Sequence, residues 1–321
     1  MAALLINFWK GTVLMGKYIL KRCAQALIVL IGVTLVTFLL LNVIPGDPVA
    51  VMLDKNASPQ AVENLRHEWG LDKPLPTQYI NFVLDAMRGD LGNSYFEKTP
   101  VLTMLVSGLK TTIKLGGFAF LFSAFVGVLC GTVAAVFHGK WIDHFMMILA
   151  MLGISLPVFW IAIVFQIIFG LQLGWFPISG LKSWTGYVLP TIALGATYAG
   201  SMARLVRTSV LEAIFQDYVK TARAKGVREI SVILRHVMRN AAIPIVTLSG
   251  TQIKSILTGS MIIETIFSIS GIGKIAINVI MVRDIPVIQG TVLYTAALFV
   301  LINLCIDLLY GVIDPRVRVA E

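Results

Sequence analysis

Charge is what this 321-residue sequence has least of: Asp, Glu, Lys and Arg together supply 13% of it. A soluble domain carries about 25%, and the hydrophobic share here is 57%, so a water-soluble globular fold is excluded and a membrane protein is indicated. Cysteine is scarce too. Cys23, Cys130 and Cys305 all lie in or against apolar runs, which argues against a disulfide framework or a cysteine metal site and for small buried hydrophobes. The histidines, His67, His138, His144 and His236, form no i,i+4 pair, so no metal site is expected. Catalytic signatures are missing as well. Ser268 to Lys274 echoes a phosphate-binding loop, but it lacks the first glycine and has Ile275 where Ser or Thr would hold Mg²⁺. The chain is therefore not expected to be an enzyme or to bind a cofactor itself.

What the sequence has in plenty is long apolar runs. A spanning helix needs roughly 20 mostly apolar residues, and six segments qualify: 24–44, 115–137, 145–171, 187–206, 243–267 and 287–312. The fourth is diluted by Thr191, Thr197, Ser201 and several Gly and Ala, which suits a helix inside a bundle rather than one facing lipid. Gly127-x-x-x-Gly131 in the second reads as a close-packing face. Pro157 should kink the third. Lys17, Lys21 and Arg22 precede the first run, which is too long for a signal peptide and has no small-x-small cleavage site before Pro45. It reads as a retained anchor, with residues 1–14 as an optional extension and Met15 as an alternative start.

The net charge of +9 does not indicate nucleic-acid binding, because the basic residues cluster beside apolar runs. Residues 204–239 hold eight basic side chains against three acids, whereas 45–100 hold five against eight. The positive-inside rule makes the first segment cytoplasmic, the second external and both termini cytoplasmic. The expected layout is a cytoplasmic segment 1–23, a first span 24–44, an external helical segment 45–114, a membrane core 115–312 containing a loop 208–242, and a cytoplasmic tail 313–321. Lys110 and Lys114 would snorkel at an outer helix end. In the external segment, Ser58-Pro59 is a helix start and Gly70 a stop, with Val62, Leu65 and Trp69 as an apolar stripe. A second amphipathic stretch covers Gln78 to Met87, with Tyr79, Phe82, Val83 and Ala86 on one side.

The region 217–244 is the most informative. Asp217 to Gly226 reads as a helix ended or bent at Gly226, followed by a second helix through Asn240, before Pro244 opens the next span. Two short helices with a glycine elbow can form a knob for a partner's groove, or an interfacial element whose cations bind anionic lipid. The pattern alone supports both. Inside the membrane, Lys254 lies mid-way along the fifth apolar run and Glu264 near its outer end. Ionised Lys there costs about 2.5–3.5 kcal/mol, and ten residues separate the two by about 15 Å, too far to pair on one helix. Both are candidates for a solute path. Lys254 paired across a subunit interface is the alternative.

The region resembles the cytoplasmic coupling loop of ABC importer permeases of the oligopeptide/dipeptide/nickel branch. That pattern is carried by Asp217-Tyr218-x-x-Thr221-Ala222-Arg223-Ala224-Lys225-Gly226, then His236, Arg239, Asn240, Ala241 and Pro244. Similar signatures run along nearly the whole chain: Pro45-Gly46-Asp47-Pro48, Gly70 to Leu75, Gly89-Asp90-Leu91-Gly92, Gly174 to Pro177, Ala203-Arg204-x-x-Arg207, Glu264 to Ser268, Gly271-Ile272-Gly273, Arg283-Asp284 and Asp314-Pro315-Arg316. Each is weak alone; their order and spacing are specific. The resemblance implies an all-α integral membrane protein of six spans with the type I importer permease fold, in a bacterial inner membrane. It implies a second homologous permease, two ATP-binding-cassette subunits that bind ATP and Mg²⁺, an external solute-binding protein and surrounding lipid. It further implies that Asp217 to Gly226, His236, Arg239 and Asn240 seat in the ATPase, with Ala222 and Ala224 allowing close docking. Asp47, Asp72 and Asp90 would help receive the binding protein. Glu264 fits the family pattern, whereas Lys254 departs from it. Dipeptides, oligopeptides, glutathione and nickel all belong to this branch, and the residues do not choose among them. Two rival classes fit less well. A secondary transporter should show a two-half repeat with ionisable midplane positions, and a membrane enzyme a catalytic cluster; the sequence displays neither.

Overall fold

The computed structural model describes the backbone of residues 2–43, 49, 53 and 58–313, and the side chains of residues 22, 24–43, 49, 53 and 58–306. The long helices are α1 (Ala2–Val43), α4 (Val101–Val136), α7 (Val188–Ile214), α10 (Met238–Ile266) and α12 (Ile285–Ile313). Between them lie α2 (Pro59–Glu68), α3 (Leu75–Met87), α5 (Trp141–Ser155), α6 (Val158–Phe165), α8 (Asp217–Ala224), α9 (Glu229–Ser231) and α11 (Ile272–Val282). By length and composition, Ala24–Val43, Val101–Val136 and Ile285–Ile306 are membrane-crossing helices, and the pair Trp141–Ser155 and Val158–Gln172 forms a fourth if taken as one broken span. α7 and α10 cover the fourth and fifth expected spans but are not among the helices apolar enough to qualify. Many of the small residues of α7 face protein instead, as do Gly250, Gln252 and Ser260 of α10.

The second apolar run, expected from 115, belongs to a longer helix that begins at Val101 and carries Lys110 and Lys114 on its exposed side. Two expectations of the later spans need correction. The third is not one kinked helix: the two halves meet at 103°, since Leu156 and Pro157 take extended backbone, ψ 132° and 136°, and proline can neither donate nor let its predecessor stay helical. Pro244 does not open a helix either; it lies inside α10.

The chain forms two compact units, residues 1–106 with 276–308, and residues 107–275 with 309–321. In the first, Ser58 caps α2 by accepting the Ala61 N–H, Pro59 takes the first helical position, and Gly70 turns with φ 66°, as the sequence dictates. The Tyr79 ring lies 5.4 Å from Phe38 of α1, and its hydroxyl is 3.1 Å from that of Thr34. Asp284, buried before α12, accepts the Ser94 hydroxyl at 2.5 Å and the Tyr95 N–H at 3.1 Å. Tyr95 in turn stacks on Trp69 at 3.6 Å.

The second unit is built around α7, where 13 of 27 residues are buried. Its small residues let neighbours approach: a Cβ on Gly131 of α4 would meet the Ala203 carbonyl and Val206. One apolar cluster joins Leu115, Ala119, Ile161, Ala162, Leu189, Ala193, Leu194, Ile256, Ile263 and Phe267. Gln166 stitches three stretches together, donating to the Ile178 carbonyl at 2.8 Å and the Ile266 carbonyl at 3.1 Å. Gln252 joins α10 to α7, donating to the Tyr198 carbonyl at 2.9 Å and Ser201 Oγ at 3.1 Å.

Glu264 is fully buried and caps the start of α11 from another helix. Its carboxylate accepts the Thr112 hydroxyl at 2.7 Å and the N–H groups of Gly273 and Lys274 at 2.8 and 3.3 Å, while Ile272 N–H donates to Thr112 Oγ1. Gly271 and Gly273 are glycine because a Cβ on the first would strike that carboxylate and on the second Met261. Substituting Glu264→Ala should strand these donors and cost about 3–5 kcal/mol. The expected result is a sharp loss of folded protein in a detergent thermal-unfolding assay, with Glu264→Gln milder; an unchanged melting profile for the alanine variant would contradict this role.

Candidate functional site

The basic loop between α7 and α10 folds as a compact knob. α8 starts after an extended Gln216, ψ 152°, and Asp217 in its first turn suits the positive end of the helix while pairing with Lys220 at 2.9 Å. Gly226 takes φ 76°, where a side chain would be strained, and turns the chain into α9. Arg223 closes the elbow by donating two hydrogen bonds to Glu229, at 3.1 Å from Nε and 2.5 Å from Nη2. That guanidinium holds the Glu229 carboxyl below its usual range. Both side chains are exposed, so the pair contributes a fraction of a kcal/mol.

The two faces of the knob differ. Val219 and Ala222 point inward, into one apolar cluster with Met202, Val206, Val210 and Ala213 of α7, Val232 and Val237, and Ala241 of α10. The other face carries exposed Tyr218, Thr221, Arg223, Ala224 and Lys225, flanked by Phe215, Ile230 and Leu234 with their apolar side chains uncovered. Ala224 is exposed on the outer surface, whereas Ala222 is buried in the chain's own core, where its small size serves packing. The expected second helix through Asn240 is instead α9, a π-helical turn Val232–Val237 and the first turn of α10, with no break. His236 is half-buried in the π turn, its carbonyl accepting the Asn240 side chain at 3.3 Å, and Arg239 is exposed.

Next to this knob in sequence, α7 also supplies Arg207, which the sequence offered only as part of a motif. Asp143 of α5 is buried and accepts two bonds from it, Nε to Oδ1 at 2.6 Å and Nη2 to Oδ2 at 2.8 Å, with the Gly139 N–H at 3.0 Å. His138 Nδ1 lies 3.3 Å from the same carboxylate. The pair fastens the 137–143 turn to α7. No sequence signal other than a lone acid at an apolar helix start pointed to it.

The remaining predicted residues lie elsewhere. Glu264 is buried, its carboxylate engaged at the start of α11. Lys254 is half-buried on α10, and among the described residues no carboxylate pairs with it. Asp72 is exposed, 3.8 Å from His67, and exposed Asp90 accepts the Gly92 N–H within its own turn. Asp47 lies outside the described residues. No group of three His, Cys, Asp or Glu is placed to hold a metal among the described residues.

Comparison with known proteins gives this architecture a family. Residues 127–319 match the family described as binding-protein-dependent transport system inner membrane component, and residues 15–116 match the N-terminal component of the same systems. A Brucella melitensis protein provisionally named a peptide transport system permease protein is 42% identical over 313 residues, covering 95% of this chain and 99% of its own length. The glutathione transport system permease proteins GsiC of Pectobacterium atrosepticum and Escherichia coli K12 are 38% and 37% identical over 304 residues, with the same coverage. Among solved structures, a chain of the inward-facing MetNI methionine ABC transporter aligns with a TM-score of 0.56 at 18% identity, over 66% of this chain and 97% of its own, a likeness of fold. From Met15 onward the matches leave few residues unaccounted for, and the chain belongs to the family of binding-protein-dependent transport system inner membrane components.

Proposed function

We propose that this protein is one of two permease subunits of an ATP-driven, binding-protein-dependent importer for peptides. In this reading it crosses the bacterial inner membrane six times with both termini in the cytoplasm. α7 and α10 are the fourth and fifth of these spans, less apolar than the others. A second, similar permease completes the path, two separate ATPases supply the hydrolysis, and the external segment 45–114 receives the binding protein. The names of the relatives favour di- or oligopeptides, with glutathione as a related cargo and nickel a further option from the family resemblance.

The observation that carries the proposal is the two-faced knob. Val219 and Ala222 fix α8 to the ends of α7 and α10 in one buried cluster, so a displacement of α8 must move those helices. Its outer face leaves Phe215, Tyr218, Ile230 and Leu234 exposed amid basic side chains. Large apolar side chains exposed together mark a contact surface, and a partner with a complementary groove would cover them. In alternating access, closure of the ATPases would push on α8 and turn the helices behind it. The rival interfacial-helix reading needs one continuous amphipathic face, which the elbow at Gly226 interrupts.

Ala224→Trp and Leu234→Asp should each reduce the ATPase activity recovered with the affinity-tagged chain by about tenfold or more, while assembly with the second permease is kept. Full recovery of that activity with both variants would contradict the docking role. Val219→Asp, which buries a charge, should instead lower the yield of folded chain.

The Arg223–Glu229 pair gives a pH expectation. Because the Glu229 carboxyl is held down in the folded loop, its contribution is complete above the unfolded value of about 4.3 and is lost as pH falls through the lower folded value. Amide exchange over residues 224–231, corrected for intrinsic rates, should therefore be flat from pH 8 to 5 and rise only in more acid solution. A rise already near neutrality would show that this pair does not close the elbow.

A further inference from the structure

α10 carries a polar stripe on the side turned away from its own unit's core. At about 100° per residue, Thr247, Thr251, Lys254, Thr258 and Thr265 fall within about 60° of arc. Burial follows the same division: Ala241, Gln252, Ile256, Ser260 and Ile263 on the other side are buried, the four threonines are exposed and Lys254 is half-buried. From Thr247 to Thr265 the stripe runs for about 27 Å, close to the thickness of a hydrocarbon core.

The hydroxyls and the ammonium differ in what they need. Each threonine donates to a carbonyl of its own helix, Thr247 to Ile243, Thr251 to Leu248, Thr258 to Lys254 and Thr265 to Met261, so these side chains tolerate either lipid or water. Lys254 has no such recourse, since its ammonium carries a full charge at the end of a four-carbon stem. Nor do the described residues of its unit supply a counter-charge. Asp143 is bound to Arg207, Asp217 to Lys220 and Glu229 to Arg223; Glu264 is spent on Thr112 and backbone N–H groups; and Glu212 sits at the far end of α7. A cation at membrane depth must meet water or an anion.

We propose that this stripe is a water-facing wall of the solute path and that Lys254 reads charge within it, so that the permease itself favours solutes bearing a carboxylate or a similar anionic group. The inference rests on the translocation reading above and adds to it a selection step inside the membrane subunit, beyond whatever the binding protein selects. Polar side chains recur along the whole stripe, whereas an ion pair between Lys254 and one neighbouring acid would need polar groups at one level only.

Thiol accessibility in membranes holding the complete importer tests path and charge separately. With Cys23, Cys130 and Cys305 replaced by alanine, single cysteines are placed at Thr251 and Thr258 and treated with anionic 2-sulfonatoethyl or cationic 2-(trimethylammonio)ethyl methanethiosulfonate, rates being normalised to a free thiol. Both positions should react, the anionic reagent should be favoured, and Lys254→Met should lower that preference roughly tenfold, as a unit charge one turn away in partly screened surroundings would. Lys254→Arg should retain it, which separates loss of charge from misfolding. Reactive cysteines whose preference is indifferent to Lys254 would leave the path standing and overturn the charge reading. Cysteines that resist both reagents until detergent separates the subunits would place Lys254 against a partner's acid and overturn the path itself.

Discussion

A helix that ends beside hydrocarbon must give its unpaired N–H and C=O groups to something other than bulk water. In this protein Glu264 meets that need, and two further buried carboxylates serve backbone N–H groups of turns that flank helices. Glu264 takes the first N–H groups of α11, Asp284 takes that of Tyr95, and Asp143 takes that of Gly139. Each also accepts a side-chain donor from a distant stretch: Thr112, Ser94 and Arg207 respectively. A sequence with so few acids therefore places them where loss of one leaves buried donors without partners. Glu264 is thereby occupied at a helix junction, whereas Lys254 pairs with no carboxylate among the described residues.

The same economy shapes the knob between α7 and α10. A loop of this length could be soft, yet Val219 and Ala222 are buried with Val206, Val210, Val237 and Ala241, and Arg223 and Glu229 close the elbow. Close-packed interiors transmit displacement rather than absorbing it. The knob is thus mechanically part of α7 and α10, and α7 is tied further to α5 by Arg207 and to α10 by Gln252. Force applied to the exposed face would reach helices that make up the core of the unit.

Much of this was legible in the sequence, because the signals were local. Ser58-Pro59 and Gly70 bounded α2, Gly226 ended α8, and Gly127-x-x-x-Gly131 marked a close helix contact, each by a rule that depends on near neighbours alone. What stayed hidden depends on distant partners. Glu264 looked like a pathway charge because Thr112 and the Gly273 N–H are 152 and 9 residues away. Ala222 and Ala224 are chemically identical and differ only in which side of α8 they occupy. The right-angled break at Leu156-Pro157 looked like a kink, since proline shows that a helix is interrupted but not where the chain goes next. α7 and α10 were expected as spans on pattern and resemblance, and their own hydropathy falls short of the other long helices.

The central claim is that the chain works as the membrane-embedded half of an ATP-driven machine. Its most direct test is affinity purification of the tagged chain in mild detergent, with mass spectrometry of what accompanies it. The account predicts a second permease of the same family and ATP-binding-cassette subunits in fixed proportion. Reproducible recovery of the chain alone, folded and able to move solute across a membrane without ATP, would contradict it.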